Sequence, residues 1–235
     1  MKLPIEDLIP DLRAKLTERT NAVLVAEPGA GKTTRVPLAL LQEPWLAGRK
    51  IVMLEPRRLA AIGAARYMAR SLGEKVGETV GYRVRLDTKV SKATRIEVIT
   101  EGVLTRLLQA DPGLEDVGIV IFDEFHERSL QADLGLAFCL ESQSVLREDL
   151  RLLVMSATLD ADALSGLLGE APVLQSKGRS YPVETIYAPA QPKERLEETV
   201  VRVIEMACQR HEGDALVFLP GAGEIRRVPQ LLSAK

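Results

Sequence analysis

Five short apolar segments alternate with helix-like segments through most of the chain. Each is rich in valine and isoleucine and almost continuously hydrophobic, which is typical of strands buried on both faces of a parallel sheet. They are residues 21–27, 50–55, 95–100, 117–122 and 151–156. The segments between them carry apolar residues at helical spacing, at 31–42, 57–72, 101–110 and 129–141. The sequence therefore predicts an α/β fold with a doubly wound, mostly parallel sheet, whose ligands bind beyond the carboxyl ends of the strands.

The pattern changes after about residue 175. Residues 176–184 are polar and contain Gly and Pro, which predicts a linker. Beyond it we expect a strand, a helix and a second strand leading into a glycine turn, at residues 183–188, about 194–211 and 215–225. We therefore predict a first domain at 1–178, followed at 179–235 by a linker and the truncated beginning of a second α/β domain.

The composition, with 46% hydrophobic and 27% charged residues, is that of a globular protein. No apolar run approaches the roughly 20 residues that span a bilayer, and the N-terminus lacks the basic start and apolar core of a signal peptide. Cys139 and Cys208 lie in predicted helices and are expected to be buried in a reducing compartment, so we expect a cytoplasmic protein without a membrane partner. The net charge of −2 argues against a uniformly basic surface but allows a local groove lined by arginines.

The segment AEPGAGKTTR, residues 26–35, joins the first predicted strand to an amphipathic helix. It matches the Gly-x-x-x-x-Gly-Lys-Ser/Thr pattern of a phosphate-binding loop, except that Ala26 stands at the first glycine position. Backbone N–H groups of five residues are expected to converge on a phosphate, with Thr34 beside them: Gly29, Ala30, Gly31, Lys32 and Thr33. Lys32 would neutralise the β- and γ-oxygens, and the Thr33 hydroxyl would bind Mg²⁺. A glycine turn with a surface lysine has the same letters, but its position between strand and helix indicates a nucleoside triphosphate site.

The segment VGIVIFDEFHER, residues 117–128, places two acids after a run of apolar β-formers. Mg²⁺ takes one or two carboxylates besides phosphates and water, and Asp123 at a strand tip suits that role. Glu124 beside it could orient and deprotonate an attacking water. A charged turn that caps the next helix would look the same locally, but the phosphate loop upstream favours the catalytic interpretation.

Three further segments follow predicted strands, and the ordered set resembles the DExH helicases of superfamily two, whose commonest form is DEAH. DEFH (123–126) resembles motif II, EPRRLAA (55–61) motif Ia, TEGVLTRLL (100–108) motif Ib and SAT (156–158) motif III. The resemblance covers residues from about 20 to 225. Each motif alone is weak, but the ordered set is specific. It implies a RecA-like P-loop NTPase domain followed by the start of a second RecA-like domain, in an ATP-dependent helicase that acts on a single strand, RNA by analogy with bacterial members.

The resemblance also implies roles for individual residues. Lys32, Thr33 and Asp123 would hold the phosphates and Mg²⁺ of ATP, and Glu124 would be the catalytic base. His126, also among the implied catalytic residues, would link the nucleotide site to the cleft between the two domains. Ser156 and Thr158 would couple the state of the nucleotide to domain motion. Contacts to the sugar-phosphate chain, which read no sequence, would come from Arg57 or Arg58, Thr100 and the backbone around Gly102.

Two positions depart from the family's pattern. Phe125 stands where alanine is usual, which we expect to alter only the packing of a buried turn. Relatives stack an arginine on adenine from the helix after motif Ia, and the residue at that position is Tyr67, with Arg66 beside it. Either side chain could stack on the base, and Tyr67 could equally pack its helix against the sheet.

The family's motifs V and VI, which include an arginine finger, do not occur in the sequence. Such a finger is worth about 10³–10⁵ in rate. We therefore expect the chain to be the N-terminal part of a longer helicase, with the remainder of its second domain as a partner. By itself it should bind Mg·nucleotide weakly and hydrolyse it slowly or not at all.

Other interpretations remain open. His211 is expected to cap a helix, and Arg83 and Arg85 could face either a nucleic acid or solvent. The histidines and cysteines have no metal-binding spacing. A different P-loop ATPase is a rival, although a transporter motor would need an LSGGQ-type signature and a kinase would need neither SAT nor PRR. A domain that binds nucleotide or RNA without turnover is the non-enzymatic alternative.

Overall fold

The computed structural model describes residues 3–157, 161–176 and 182–233. The chain divides into two compact units, Met1–Ser180 and Tyr181–Lys235. The larger unit is built on one eight-stranded sheet. Its strands are β1 (Asn21–Val25), β2 (Lys50–Leu54), β3 (Val80–Val84), β4 (Asp87–Lys89), β5 (Ile96–Ile99), β6 (Val117–Phe122), β7 (Arg151–Ser156) and β8 (Val173–Gln175).

The spatial order of the strands is β4-β3-β5-β2-β6-β7-β1-β8. Neighbouring strands are parallel except β3 and β4, which form an antiparallel hairpin at one edge. The predicted doubly wound, mostly parallel sheet is confirmed. The five strands predicted from sequence are adjacent in this sheet. The polar segments that follow them therefore lie side by side at the carboxyl ends of the strands.

Helices cover both faces of the sheet. The core on one face includes residues of α1 (Ile9–Glu18), α2 (Lys32–Leu40) and α3 (Arg58–Ser71); the core on the other includes residues of α4 (Glu101–Ala110), α5 (Leu130–Val145) and α6 (Ala161–Leu167). Strand β1 supplies Leu24 to the first core and Val25 to the second. Because successive strand residues point to opposite faces, a strand covered on both sides needs an unbroken apolar run.

The four helices expected in this unit are present as α2 to α5. The five predicted strands did not include β3, β4 or β8, and the sequence patterns did not predict α1 or α6. Strands β4 and β8 have only three residues each, too few for a hydrophobic period to be recognised.

The smaller unit contains α7 (Leu196–Arg210), where a helix was expected, and α8 (Ala222–Ser233). The strands expected at 183–188 and 215–220 are wrong, since neither segment forms a strand in the described structure. An isolated strand has no partner for its backbone N–H and C=O groups. The apolar side chains Val183, Tyr187, Leu216 and Phe218 are accordingly 82–89% exposed.

The cysteine prediction is half right. Cys139 is buried, and burial raises the pKa of its thiol to about 12. Cys208 is exposed on α7, so the expectation of burial is wrong for it. His211 is the C-terminal cap residue of α7, as expected. None of the described helices combines the length and apolar character needed to cross a membrane.

Candidate active site

The first residue after three of the five adjacent strands donates a hydrogen bond to the last residue of a neighbouring strand. The Ala26 N–H, after β1, donates to the Ser156 carbonyl at 3.0 Å, and the Asp123 N–H, after β6, donates to the Leu54 carbonyl at 3.0 Å. The Glu55 N–H, after β2, donates to the carbonyl at the end of β5 at 2.9 Å. These bonds extend the parallel ladder to its edge and fix the backbone from which the polar side chains project.

The phosphate loop turns through two glycines with left-handed backbone, Gly29 (φ 80°) and Gly31 (φ 94°). The left-handed backbone favours glycine at Gly31, and a Cβ there would lie 2.7 Å from Leu3 Cδ1, so that Leu3 would have to shift. Ala26 continues the sheet ladder instead, which explains why a residue with a side chain is tolerated there. The Ala30 N–H donates to the Glu27 carbonyl at 3.2 Å, so it is engaged within the loop. The first-turn N–H groups of α2 have no intrahelical acceptor and suit an anion.

Lys32 and Thr33, the first residues of α2, meet the two acids that follow β6. Lys32 is buried, and its Nζ lies 3.0 Å from Glu124 Oε1. The Thr33 hydroxyl donates to Asp123 Oδ2 at 2.5 Å, and Asp123 Oδ1 accepts the Glu124 N–H at 2.8 Å. A lysine, a hydroxyl and two carboxylates drawn from both predicted motifs therefore form one cluster.

The electrostatics of this cluster are dominated by buried acids. Burial, together with the charge of Glu124, raises the pKa of Asp123, although the hydrogen bond from Thr33 and the charge of Lys32 oppose the shift. Burial and the adjacent Asp123 raise the pKa of Glu55 to about 8. Both carboxyl groups therefore resist ionisation next to one another, and a bound cation would favour their charged forms.

The turn after Asp123 is a short 3-10 helix, Phe125–Glu127, between two non-glycine residues with positive φ, Glu124 (φ 49°) and Arg128 (φ 46°). Such residues cost free energy and persist where packing determines them. Phe125 supplies that packing: it is buried, and its ring meets Phe122 edge-on at 6.0 Å. The expectation for this departure from DEAH agrees with the structure. The sharp turn lets two consecutive acids face the phosphate loop.

His126 contacts both Glu124 and the segment after β7. Its Nδ1 accepts the Ala157 N–H at 3.2 Å and lies 3.3 Å from Glu124 Oε2. Because Nδ1 accepts from Ala157, it cannot also donate to Glu124. The imidazole therefore lies between Glu124 and the SAT segment. Ser156 is buried at the end of β7. Thr158, the other predicted coupling residue, lies outside the described residues.

An open cavity of about 510 Å³ borders the cluster. Thr33, Thr34 and Glu124 line one part of it, and Tyr67 of α3 lines another. Tyr67 is half exposed, so its ring is available to a ligand. Arg66 is exposed and is not among the lining residues.

The predicted nucleic-acid contacts are less closely grouped. Arg57, the N-cap residue of α3, forms an ion pair with Glu127, and Arg58 is exposed. Thr100 is the N-cap residue of α4, and Gly102 lies in its first turn. Arg83 is committed elsewhere, since its Nε donates to Glu97 Oε2 at 2.6 Å, whereas Arg85 is exposed.

Glu55 and Glu127 are site residues that sequence reasoning missed. Glu55 is buried beside Asp123, and Glu127 holds Arg57. One signal was available for Glu55: like Asp123, it is an acid that directly follows a continuous apolar strand. The Glu127 contact could not be predicted, because it joins two motifs that are distant in sequence.

Residues 8–165 match the family model for the DEAD/DEAH box helicases. The chain belongs to this family. Its fold, with the phosphate loop after β1 and Asp123–His126 after β6, therefore agrees with the resemblance drawn from the motifs.

Individual members of the DEAD/DEAH box helicases are closely similar over the whole chain. ATP-dependent RNA helicase HrpB of Escherichia coli (strain K12) is 51% identical over 233 residues, which are 99% of this chain and 29% of that protein. Probable ATP-dependent RNA helicase DHR2 of Saccharomyces cerevisiae (strain ATCC 204508 / S288c) is 35% identical over 98% of this chain and 32% of its own length. The chain thus spans about a third of each relative.

Two solved helicase structures are also similar to this chain over nearly its whole length. A crystal structure of Escherichia coli DEAH/RHA helicase HrpB matches with a TM-score of 0.90 and 50% identity, over 99% of this chain and 30% of that one. A second, of Escherichia coli DExH-box NTPase HrpB, matches with a TM-score of 0.78 and 50% identity, over 100% and 29% of the two chains.

Proposed function

We propose that this chain is the nucleotide-binding part of an ATP-dependent RNA helicase, in which hydrolysis of Mg·ATP drives domain closure and movement along a single strand. The observation that carries the proposal is the meeting of Lys32 and Thr33 with Asp123 and Glu124. Together they offer a cation for phosphate oxygens, two oxygen ligands for a metal, and a base. The names of HrpB and DHR2 support RNA as the nucleic acid.

The catalytic roles follow from this geometry. Lys32 binds the β- and γ-phosphate oxygens beside the first-turn N–H groups of α2. Glu124 then accepts the proton of the water that attacks the γ-phosphate. Gly29, Ala30, Gly31 and Thr34 shape the loop, and Tyr67 stacks on the base across the cavity.

The donor set fits Mg²⁺. The Thr33 hydroxyl and an Asp123 carboxylate oxygen are 2.5 Å apart, and both are the hard oxygen ligands that this ion prefers. Within residues 3–157, 161–176 and 182–233, no group of three or more His, Cys, Asp or Glu could hold a metal alone. That agrees with an ion whose other positions are filled by phosphates and water. When bound, Mg²⁺ offsets the charge that develops on the phosphates.

Nucleic-acid binding is assigned to the two neighbouring strand tips, through Arg57 or Arg58, Thr100 and the backbone at Gly102. A side-chain guanidinium and helix N-terminal N–H groups bind phosphates without reading bases. His126, Ser156 and Thr158 couple the nucleotide to domain motion, a role supported by the contacts of His126 with Ala157 and Glu124.

The proposal includes a domain arrangement. Residues 1–178 form the first RecA-like domain, and 179–235 form a linker and the start of a second, as the two compact units support. We place the protein in the cytoplasm, where its nucleic-acid partner and ATP meet.

A second candidate is a domain that binds Mg·nucleotide without turnover. The observation in its favour is the Lys32–Glu124 ion pair, which occupies the phosphate ligand and the base together. For the 235-residue chain we expect weak nucleotide binding and slow hydrolysis.

Steady-state ATP hydrolysis with and without single-stranded RNA and DNA tests the proposal, in the 235-residue chain and in a chain extended to the length of its relatives. RNA-stimulated turnover of the extended chain, lost in Glu124→Gln, is the expected result. If neither RNA nor DNA changes the rate of ATP hydrolysis, the proposed roles of Arg57, Arg58 and Thr100 are contradicted, and with them the helicase assignment. Rapid hydrolysis by the 235-residue chain, abolished by Lys32→Ala, would contradict the expected slow turnover.

A further inference from the structure

The N-terminus of α4, where the proposed function places a phosphate of the nucleic acid, has no side-chain cap. Its N-cap residue is Thr100, but the Thr100 side chain accepts no hydrogen bond from the first turn. The Thr100 carbonyl accepts the Val103 N–H at 2.8 Å. The N–H groups of Glu101 and Gly102 come too early in the helix to reach one of its carbonyls. They are the groups that would bind the phosphate.

Glu101 brings a negative charge to this same N-terminus. It is the first residue of α4 and lies in sequence between the two proposed contacts, Thr100 and Gly102. A carboxylate near a helix N-terminus stabilises the helix, but it repels a phosphate bound at the same N–H groups. The proposed contact therefore requires that this carboxylate is held elsewhere.

A hydrogen bond from the neighbouring helix holds the Glu101 carboxylate. The Oγ atom of Ser129 donates to Glu101 Oε1 at 2.6 Å. The same Oγ atom accepts the Ala132 N–H at 3.0 Å, so Ser129 is also the capping residue of α5. Because a hydroxyl has one hydrogen to donate, these two bonds together fix its direction. The carboxylate is thereby tied to the N-terminus of α5, where the helix dipole favours it.

The packing of the two helices keeps this hydrogen bond in place. A Cβ at Gly135 of α5 would lie only 3.0 Å from Leu104 Cδ2 of α4, so the helices approach closely just below their N-termini. Glu101 and Ser129 both line a cavity of about 250 Å³, and Arg57 lines it as well. The bond therefore lies among the residues assigned to nucleic-acid binding, on a rigid pair of helices.

We propose that Ser129 is a positioning residue of the nucleic-acid site. Its hydroxyl holds the Glu101 carboxylate away from the first N–H groups of α4 and so leaves them to a phosphate of the single strand. The inference rests on the proposed function, because it requires that nucleic acid binds at Thr100 and Gly102. It gives Ser129 itself no contact with the nucleic acid.

The test is the binding of a fluorescent single-stranded RNA to the 235-residue chain, measured by anisotropy in two backgrounds. Ser129→Ala releases the Glu101 carboxylate, and we expect the dissociation constant to rise about threefold, the effect of one charge at a helix N-terminus. Glu101→Gln keeps an acceptor for Ser129 but removes the charge. In that background Ser129→Ala should leave the dissociation constant unchanged. Ser129→Thr keeps the hydroxyl and should bind RNA like the wild type.

Melting temperatures separate this role of Ser129 from its role as the cap of α5. Loss of the cap should lower the melting temperature by a similar amount in both backgrounds, whereas the effect on RNA should appear only when the Glu101 charge is present. Glu115→Gln is the matched control for the change in net charge, since Glu115 is exposed and lies beyond the C-terminus of α4. Ser129→Ala should weaken RNA binding in the Glu115→Gln background as it does in the wild type.

Equal weakening by Ser129→Ala with and without the Glu101 charge would assign Ser129 to the α5 cap alone and overturn the inference. An unchanged dissociation constant in Ser129→Ala overturns it as well. If Ser129→Ala does not fold, Ser129→Gly takes its place with the same criteria, because glycine is nearly as good an N-cap residue and lacks the donor. A wild-type chain that binds no single-stranded RNA overturns the proposed nucleic-acid contacts of this chain together with the inference.

Discussion

Lys32 and Glu124 neutralise each other across 3.0 Å, and each is thereby kept from the role proposed for it. A phosphate that binds Lys32 releases the carboxylate to accept a proton. The contact has a cost, because nucleotide must displace a buried ion pair before it binds. The same pair of residues is a physical reason to expect both weak nucleotide binding and slow turnover of the chain alone.

Glu124→Gln should separate these effects. Removing the negative partner of Lys32 should tighten ADP binding several-fold, while loss of the base should slow hydrolysis by about 10²–10⁴. Titration with a fluorescent ADP analogue and a single-turnover assay would check the two expectations. Lys32→Ala serves as the comparison and should weaken binding. Unchanged hydrolysis in Glu124→Gln would exclude it as the base.

The Arg57–Glu127 ion pair leads to a second residue-scale prediction. Glu127→Gln should strengthen binding of a fluorescent single-stranded RNA several-fold in anisotropy titrations, because it frees Arg57 for a phosphate. Arg57→Ala should weaken binding and abolish the gain in the double variant. Asp133→Asn is the matched control, since it frees Arg128 from a similar exposed pair with the same change in net charge. An equal gain in both single variants would indicate a general charge effect.

At the residue scale, the sequence predicted those members of the site that belong to motifs with a fixed local spacing. Lys32 and Thr33 follow from the phosphate loop, and Asp123 and Glu124 from the acids after an apolar strand. Glu55 and Glu127 were missed because their roles depend on which strand tip lies next to them. That neighbour is set by strand order, which has no local signature.

At the scale of elements, buried strands and amphipathic helices were predictable because their periodicity is a property of the segment. Strand formation by 183–188 and 215–220 was predicted wrongly, since it depends on a partner outside the segment. The hairpin of β3 and β4 is the opposite case: its strands form although they were not among the five predicted strands. It is held in the sheet by pairing with β5 and by Glu97, a buried acid that contacts both Lys50 and Arg83.

Glu97→Gln should lower the free energy of unfolding at pH 7 by about 2 kcal/mol, less than for a fully buried pair because both partners are partly exposed. Burial raises the pKa of Glu97, but hydrogen bonds from Arg83 and Lys50 outweigh it and the pKa is lowered. The stabilisation is therefore complete above the unfolded pKa of about 4.3 and is lost as the pH falls through the lower folded value. Urea unfolding at several pH values checks this, with Glu148→Gln as an exposed control. A difference that persists at the lowest pH would contradict it.

At the scale of the whole molecule, a net charge of −2 limits how nucleic acid can be held. Binding must rely on a few guanidinium groups and helix N-termini. With two or three phosphate contacts, the plot of log K against log salt for single-stranded RNA should have a slope of about −2. Anisotropy titrations from low to moderate salt would measure it, with homopolymers of different bases showing similar affinity. A much steeper slope would require a basic surface that the candidate residues do not provide.

The contact between the phosphate loop and the start of the chain has a practical consequence. Leu3 packs against Gly31, the Ile5 N–H donates to the Ala30 carbonyl at 3.2 Å, and Glu6 lies 3.3 Å from Arg35. The first few residues are therefore a wall of the loop, although they belong to none of its motifs. A protein that lacks these first residues would keep every residue of the phosphate-loop motif, but we expect it to bind nucleotide more weakly. A comparison of nucleotide affinity between proteins that start at different residues would therefore report on these N-terminal contacts as well as on the proposed catalytic residues.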